Sequence, residues 1–101
     1  MTVEKKNSSE AVVYLGKKLS AINSGELKEQ LLSLFAEGYR KITLDFSFSS
    51  LIDASVLGKI CLLQKKLREH QGELRIINVK SGYIQKIFNL VQLHKVITIE
   101  Y

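Results

Sequence analysis

Residues 41–67 read KITLDFSFSSLIDASVLGKICLLQKKL. Ile42, Leu44 and Phe46 mark a strand with one apolar face. Ser47, Ser49 and Ser50 break it into a loop, and Leu51-Ile52 lead to Asp53-Ala54-Ser55, where an apolar helix opens. Val56, Leu57, Ile60, Cys61, Leu63 and Leu67 fall on one broad stripe of that helix, leaving Lys59, Gln64, Lys65, Arg68 and Glu69 for its outer face. Asp53 stands where an N-cap belongs: its carboxylate would accept backbone N–H groups and sit at the positive end of the helix dipole. A helix start displayed at the end of a strand is where α/β domains present chemistry or partner contacts.

Outward from this segment, strands and helices alternate. Thr2 to Lys6 reads as a short edge strand and Asn7-Ser8-Ser9 as a turn. Ala11 to Leu15 is a second strand ended by Gly16, which makes an N-terminal hairpin. Asn23 with Glu26 three residues later resembles a capping box, followed by Leu27, Leu31, Leu34 and Phe35 at helical spacing and by Gly38 at the stop. Beyond the central helix, Gln71-Gly72 closes it and Leu74 to Val79 is a strand. Ser81 caps a short helix with Ile84, Ile87, Phe88 and Val91 inward, and Val96 to Ile99 is the last strand. The order ββαβαβαβ predicts an α/β fold: a mostly parallel central sheet of about five strands with right-handed crossovers, an N-terminal antiparallel hairpin, and flanking helices. Without proline, linker, repeat or low-complexity tract, residues 1–101 are expected to be one domain.

The totals restrict the function classes. The chain has 101 residues, 46% of them apolar, enough for one modest core. No apolar run reaches the length of a membrane span, and the first ten residues lack a secretory signal stretch. Cys61 is the only cysteine, so disulfide frameworks and cysteine metal sites are out; set among Ile60, Leu62 and Leu63, it is expected to be buried and inert. A cytoplasmic protein without membrane insertion is expected. The net charge is +5, but the basic residues are spread along the chain and do not interleave with aromatics, so direct nucleic-acid binding is not expected.

Catalytic patterns are missing too. The glycines at 16, 25, 38, 58, 72 and 82 form no phosphate cradle. His70 reads as a helix-end residue and His94 as part of the last helix-to-strand turn, so neither serves Ser55 and Asp53 as a base. Asp45 flanks the same loop as Asp53 but falls in a strand pattern, pointing out. No cofactor, no metal and no enzymatic activity are expected.

The chain resembles the STAS domains, the family named for sulphate transporters and anti-sigma-factor antagonists. The residues that carry the resemblance are the strand ITLDFS, the helix start Leu51-Ile52-Asp53-Ala54-Ser55-Val56-Leu57-Gly58, the first helix start Asn23-Ser24-Gly25-Glu26-Leu27, the segment Gly16-Lys17-Lys18-Leu19-Ser20, and the C-terminal IQKIFNLVQLHKVITI. It runs from about Val3 to Tyr101. It implies a regulatory, partner-switching module that binds a serine kinase acting as an anti-sigma factor, through a face containing Asp53, Ala54, Ser55, Val56, Ser50 and Ser24. In the family, phosphorylation of the serine after the Asp releases the partner, because the phosphate brings about −1.5 to −2 charge into a close-fitting interface.

This sequence departs from the pattern. Ala54 occupies the phosphoacceptor position, Val56 replaces the family Gly, and Gln92 replaces a later one. Ser55 is the remaining phosphorylation candidate, rotated by about 100° from the usual position. The resemblance therefore implies an antagonist without the usual phosphoserine switch. STAS-like small subunits that dock on the ATPase of ABC-type lipid transporters, or that join a stress-signalling assembly, are the alternatives.

Overall fold

Strands β1 (Thr2–Lys5) and β2 (Glu10–Tyr14) form an antiparallel hairpin. The Asn7 side chain closes its turn by accepting the N–H groups of Ser9 and Glu10. The computed structural model describes residues 1–101. Helix α1 (Ala21–Ala36) connects β2 to β4 (Lys41–Asp45), α2 (Ala54–Glu69) connects β4 to β6 (Glu73–Ile77), and α3 (Gly82–Leu90) leads through a 3-10 turn at Leu93–Lys95 to β7 (Thr98–Glu100). The sheet order is β1-β2-β4-β6-β7, parallel from β2 onward.

That order never reverses. Each right-handed crossover steps the same way along the sheet, so all three helices land on the same face. The strands bear this out by alternating: Ala11 and Val13, Ile42 and Leu44, and Leu74 and Ile76 are buried, while Val12, Thr43 and Arg75 beside them are half-buried. A parallel strand covered on both faces would read as a continuous apolar run. The buried side chains form one core cluster of 23 residues, with Phe46 and Phe88 meeting edge to face at 5.5 Å between ring centroids. A steady order also leaves no switch-point crevice in the sheet.

A second, two-stranded parallel ladder pairs β3 (Lys18–Leu19) with β5 (Leu51–Ile52). Two-residue strands have no periodicity to read, and this pair lay outside the sequence expectation. It fastens the approach to α1 against the approach to α2.

The helix ends correct several expectations. Helix α1 begins at Ala21 with Ser20 as its N-cap, three residues before the expected start. Asn23 is the third helical residue; its side-chain oxygen accepts the Ser20 N–H at 2.9 Å and its amide donates to the Lys18 carbonyl at 2.7 Å. On α2, Cys61 is exposed and Gln64 is buried, the reverse of the expected faces. The stripe that reaches the core is Val56, Ile60, Leu63 and Leu67, and Gln64 lies one turn beyond Ile60 while Cys61 is turned about 100° away. Burial pushes the Cys61 thiol up from its ordinary pKa. Val91, expected inward, is the exposed C-cap of α3, and the last strand begins at Thr98 rather than Val96. Gly72 closes the α2–β6 turn by necessity: a Cβ there would stand 2.5 Å from the Arg40 carbonyl oxygen.

Candidate functional site

Asp53 stands between β5 and α2 with an extended backbone, φ −110° and ψ 171°. Its N–H continues the small ladder by donating to the Leu19 carbonyl at 2.9 Å. Its Oδ1 accepts the N–H groups of Ser55 at 3.1 Å and Val56 at 3.3 Å, and the Ser55 hydroxyl at 2.6 Å. Its Oδ2 accepts the N–H of Ala21, the first residue of α1, at 2.6 Å. One carboxylate therefore holds the N-termini of two helices, where unpaired N–H groups and both dipoles favour negative charge. The Ser55 hydroxyl, followed by the backbone donors, holds the Asp53 carboxyl below the usual aspartate pKa against a smaller opposing effect of desolvation.

The third helix start is drawn to the same end. Ser81 caps α3 by accepting the Ile84 N–H at 3.2 Å, and its hydroxyl donates to the Ser50 carbonyl at 3.3 Å. Ser50 in turn donates its N–H to the Lys17 carbonyl at 2.8 Å. Ser49, expected as an ordinary loop residue, is buried and donates to the Gly16 carbonyl at 2.7 Å. Asp45 does not point out: it is buried at the end of β4, where its carboxylate accepts the Ser47 N–H at 2.8 Å, the Ser47 hydroxyl and the Asn78 amide. Burial is the largest influence on Asp45 and works against its charge, but the bonds from Ser47 and Asn78 together outweigh it and leave its pKa below the ordinary value. These contacts hold the β4–β5 loop in one shape against the helix starts.

Of the residues singled out by sequence, Ala54 and Ser55 are exposed, and Asp53 and Ser50 are half-buried beside them. Val56 and Ser24 lie beneath. Val56 is wholly buried because it opens the core stripe of α2, and Ser24 lies on the buried side of α1 with its hydroxyl donating to the Ala21 carbonyl. Their side chains shape this end from below rather than meeting solvent. Sequence reading missed four exposed apolar residues here: Ile22, 97% exposed in the first turn of α1; Phe48, 73% exposed in the β4–β5 loop; Leu51; and Tyr83 in the first turn of α3. Ile22 carried a signal, since five residues before Leu27 puts it about 140° off the core stripe. Phe48 carried none, because Phe46-Ser47-Phe48 prolongs the strand alternation.

A carboxylate occupied by three N–H groups and a hydroxyl, with a lowered pKa, is a weak base for activating Ser55. His70 caps the far end of α2, with Nδ1 2.9 Å from the Lys66 carbonyl oxygen, and His94 lies in the 3-10 turn before β7. No three His, Cys, Asp or Glu side chains gather into a metal site, and no helix is long and apolar enough to cross a membrane.

A family model described as STAS domain matches residues 1–101. Among solved structures, the fold is similar to a candidate anti-sigma factor antagonist from Thermotoga maritima, with a TM-score of 0.87 and 21% identity over 96% of this chain and 83% of that one. It is similar to an anti-sigma factor antagonist from Mycobacterium paratuberculosis, with a TM-score of 0.83 and 13% identity over 98% of this chain and 86% of that one. The anti-sigma factor antagonist SpoIIAA in its unphosphorylated form gives a TM-score of 0.77 and 17% identity over 97% of this chain and 84% of that one. The Bacillus cell fate determinant SpoIIAA in its phosphorylated form is matched equally well, with a TM-score of 0.77 and 18% identity over 97% of this chain and 88% of that one. At these identities the likeness is one of fold.

Proposed function

The chain belongs to the STAS domain family, and on that premise we propose that it is a non-enzymatic, cytoplasmic regulatory module that binds a kinase-type anti-sigma factor through the end of the molecule built around Asp53. The observation that carries this reading is the set of exposed apolar side chains on the segments that meet at this end, Ile22 and Tyr83 in the first turns of α1 and α3 and Phe48 and Leu51 before α2, beside the exposed helix start Ala54-Ser55. Large apolar groups clustered at one end mark a surface that a partner covers. In this reading Ala54, Ser55 and Ser50 touch the partner, Asp53 fixes their backbone, and Val56 and Ser24 support them from the core.

Ala54 has no hydroxyl to phosphorylate, so the module binds without a phosphoserine release step. The neighbouring Ser55 hydroxyl donates to Asp53 at 2.6 Å, and a phosphate there would bring its charge against that carboxylate. The same feature, a helix start without an acceptor hydroxyl, suits a second reading, in which the face docks on the ATPase of an ABC-type lipid transporter.

The test is capture of partners on the tagged protein from lysate of the source organism, compared with an Ile22→Ser/Phe48→Ser variant and read by mass spectrometry. Enrichment of an ATPase-fold serine kinase by the unaltered protein alone supports the antagonist reading. Enrichment of a transporter ATPase with its membrane subunits, or of a large signalling assembly, overturns it in favour of the alternatives.

A further inference from the structure

The basic residues that are spread along the sequence are gathered by the fold. Three concavities follow one another along the outer side of the C-terminal half of α2. The first, about 340 Å³, lies between α1 and α2 with Lys28, Leu32, Leu62, Lys65, Lys66 and Glu69 in its walls. The second, about 490 Å³, shares Lys65 and Glu69 with it and adds Cys61, Arg68 and Val96. The third, about 510 Å³, shares Arg68 and Val96 with the second and reaches Lys41, Glu73, His94 and Lys95 at the start of the parallel strands. The whole band carries six cations, Lys28, Lys41, Lys65, Lys66, Arg68 and Lys95, against two carboxylates. That is four of the five net positive charges of the protein.

None of those six cations is in an ion pair. The three salt bridges of the structure join Lys5 to Glu37, Lys6 to Glu4 and Arg75 to Glu100. The floor of the first two concavities is largely apolar: Leu62 and Val96 are each 49% exposed, Cys61 lies between them in the chain of cavities, and the stems of Lys65 and Arg68 add to it, whereas the third is lined mainly by polar groups. A merely solvated helix face balances charges of both signs, whereas here six cations stand against two carboxylates.

We propose that this band is a second docking surface and that it receives an acidic segment of a partner protein carrying aliphatic side chains. The charge excess selects the acid, and the floor selects the aliphatic groups. Single-stranded nucleic acid is disfavoured because no Phe, Tyr or Trp lines the band and His94 is its one ring, too little for successive bases to stack on. A membrane is disfavoured because the band exposes only two large apolar side chains, Leu62 and Val96, too few to make the apolar face that an interfacial helix buries. The band runs along α2 from Cys61 to Glu69, about 12 to 24 Å from Asp53 along the helix axis, so a short segment seated on it leaves the Asp53 end open.

The test uses a short fluorescein-labelled peptide of Glu-Glu-Leu repeats, read by anisotropy against the intact protein. Saturable binding is expected at about 50 mM salt, lost at about 500 mM, since a rim of exposed charges is screened. A matched peptide with Ser for Leu should bind about tenfold more weakly, reflecting the apolar floor. The K65E/R68E variant, with K95E as a second, should also bind about tenfold more weakly; K95E should keep its melting temperature, since Lys95 is exposed and unpaired, and K65E/R68E should lose no more than a few degrees, the effect of a carboxylate in the last turn of α2. An Ile22→Ser/Phe48→Ser variant should keep full peptide binding, which separates this surface from the proposed partner face. Absence of binding, equal binding of the Ser peptide, or indifference to both charge-reversal variants overturns the proposal. So does tighter binding of single-stranded oligothymidylate or of phosphatidylglycerol vesicles.

Discussion

The Asp53 carboxylate and the Ala21 amide, 32 residues apart in the chain, are joined by a 2.6 Å hydrogen bond that ties the first turn of α2 to the first turn of α1. The other oxygen of the same carboxylate caps α2 through Ser55 and Val56. An N-cap normally satisfies one helix; this one satisfies two, and it does so under the exposed residues Ala54 and Ile22. One charged side chain thus joins the two helix starts of the proposed partner face, in addition to the core that packs α1 with α2 and the serine contacts that hold the β4–β5 loop.

Replacing Asp53 should therefore be felt at both helices. Asp53→Ala is expected to lower the melting temperature by several degrees, and amide exchange should speed up at Ala21 as well as at Ser55 and Val56. The acid limb tells the charge apart from the shape. The folded carboxyl titrates below the ordinary aspartate value of 3.8, so the unfolded chain binds its proton first as pH falls. The resulting stability is complete above that value and is lost as pH drops through the folded pKa. Asp45 is shifted the same way and adds to the same limb. Asp53→Asn should then flatten, without abolishing, the fall of melting temperature below about pH 4. A variant whose acid limb overlays that of the unaltered protein would show that the Asp53 charge contributes nothing.

Much of this was legible before any coordinates. The alternation of Ile42, Leu44 and Phe46, the cap at Asp53 and the cap at Ser81 each belong to patterns that local chain geometry imposes, and each reads correctly. Asn23 misled because a capping-box partner and a cap are chemically alike; only the bond from Ser20 N–H to the Asn23 side chain tells them apart. Gln64 and Cys61 misled because the broad stripe follows the apolar residue types, taking in Cys61 and leaving Gln64 outside, whereas the narrower phase set by Val56, Ile60, Leu63 and Leu67 buries Gln64 and exposes Cys61. The exposure of Phe48 and the gathering of Lys28, Lys41 and Lys95 beside Lys65 depend on contacts between distant segments, and no local pattern encodes those.

Ala54 is exposed in the first turn of α2, so a serine placed there meets no steric obstacle. Ala54→Ser should keep the melting temperature within about a degree and should create a phosphoacceptor one residue before Ser55. Incubated with ATP and the serine kinase enriched by the capture experiment, the variant should gain one phosphate by intact mass, and the phosphorylated form should lose its partner. The unaltered chain should gain none. If the variant is neither bound nor phosphorylated by that kinase, the helix start is not a kinase-facing surface.

Ile22 and Phe48 make the sharpest separation of binding from folding. At 97% and 73% exposure they contribute little to the core. Ile22→Ser and Phe48→Ser are expected to change stability by no more than about 0.5 kcal/mol. Each should weaken a partner bound at this end by about tenfold or more, as removal of a buried apolar anchor does. Titration calorimetry with the captured partner, set beside urea denaturation of each variant, measures both quantities. Affinity that survives both substitutions would move the interface elsewhere.

Gln64 presents the opposite case, a polar side chain that works inside the protein. Its oxygen accepts the Leu74 N–H at 3.2 Å, and its amide donates to the Val96 carbonyl at 2.6 Å. It thereby links α2 to the first residues of β6 and to the turn before β7, and no buried side-chain polar atom in the structure is left unpaired. Gln64→Leu keeps the volume and removes both bonds, stranding the buried Leu74 N–H, while the Val96 carbonyl is left to the water of the adjoining concavity. The expected cost is about 1–3 kcal/mol in urea denaturation, since an unmade buried bond costs more than a made one contributes. Exchange of the Leu74 amide should accelerate far more than that of Ile76, its neighbour on the same strand face. Uniform acceleration along β6 would mean that Gln64 stabilises the sheet as a whole and not this junction.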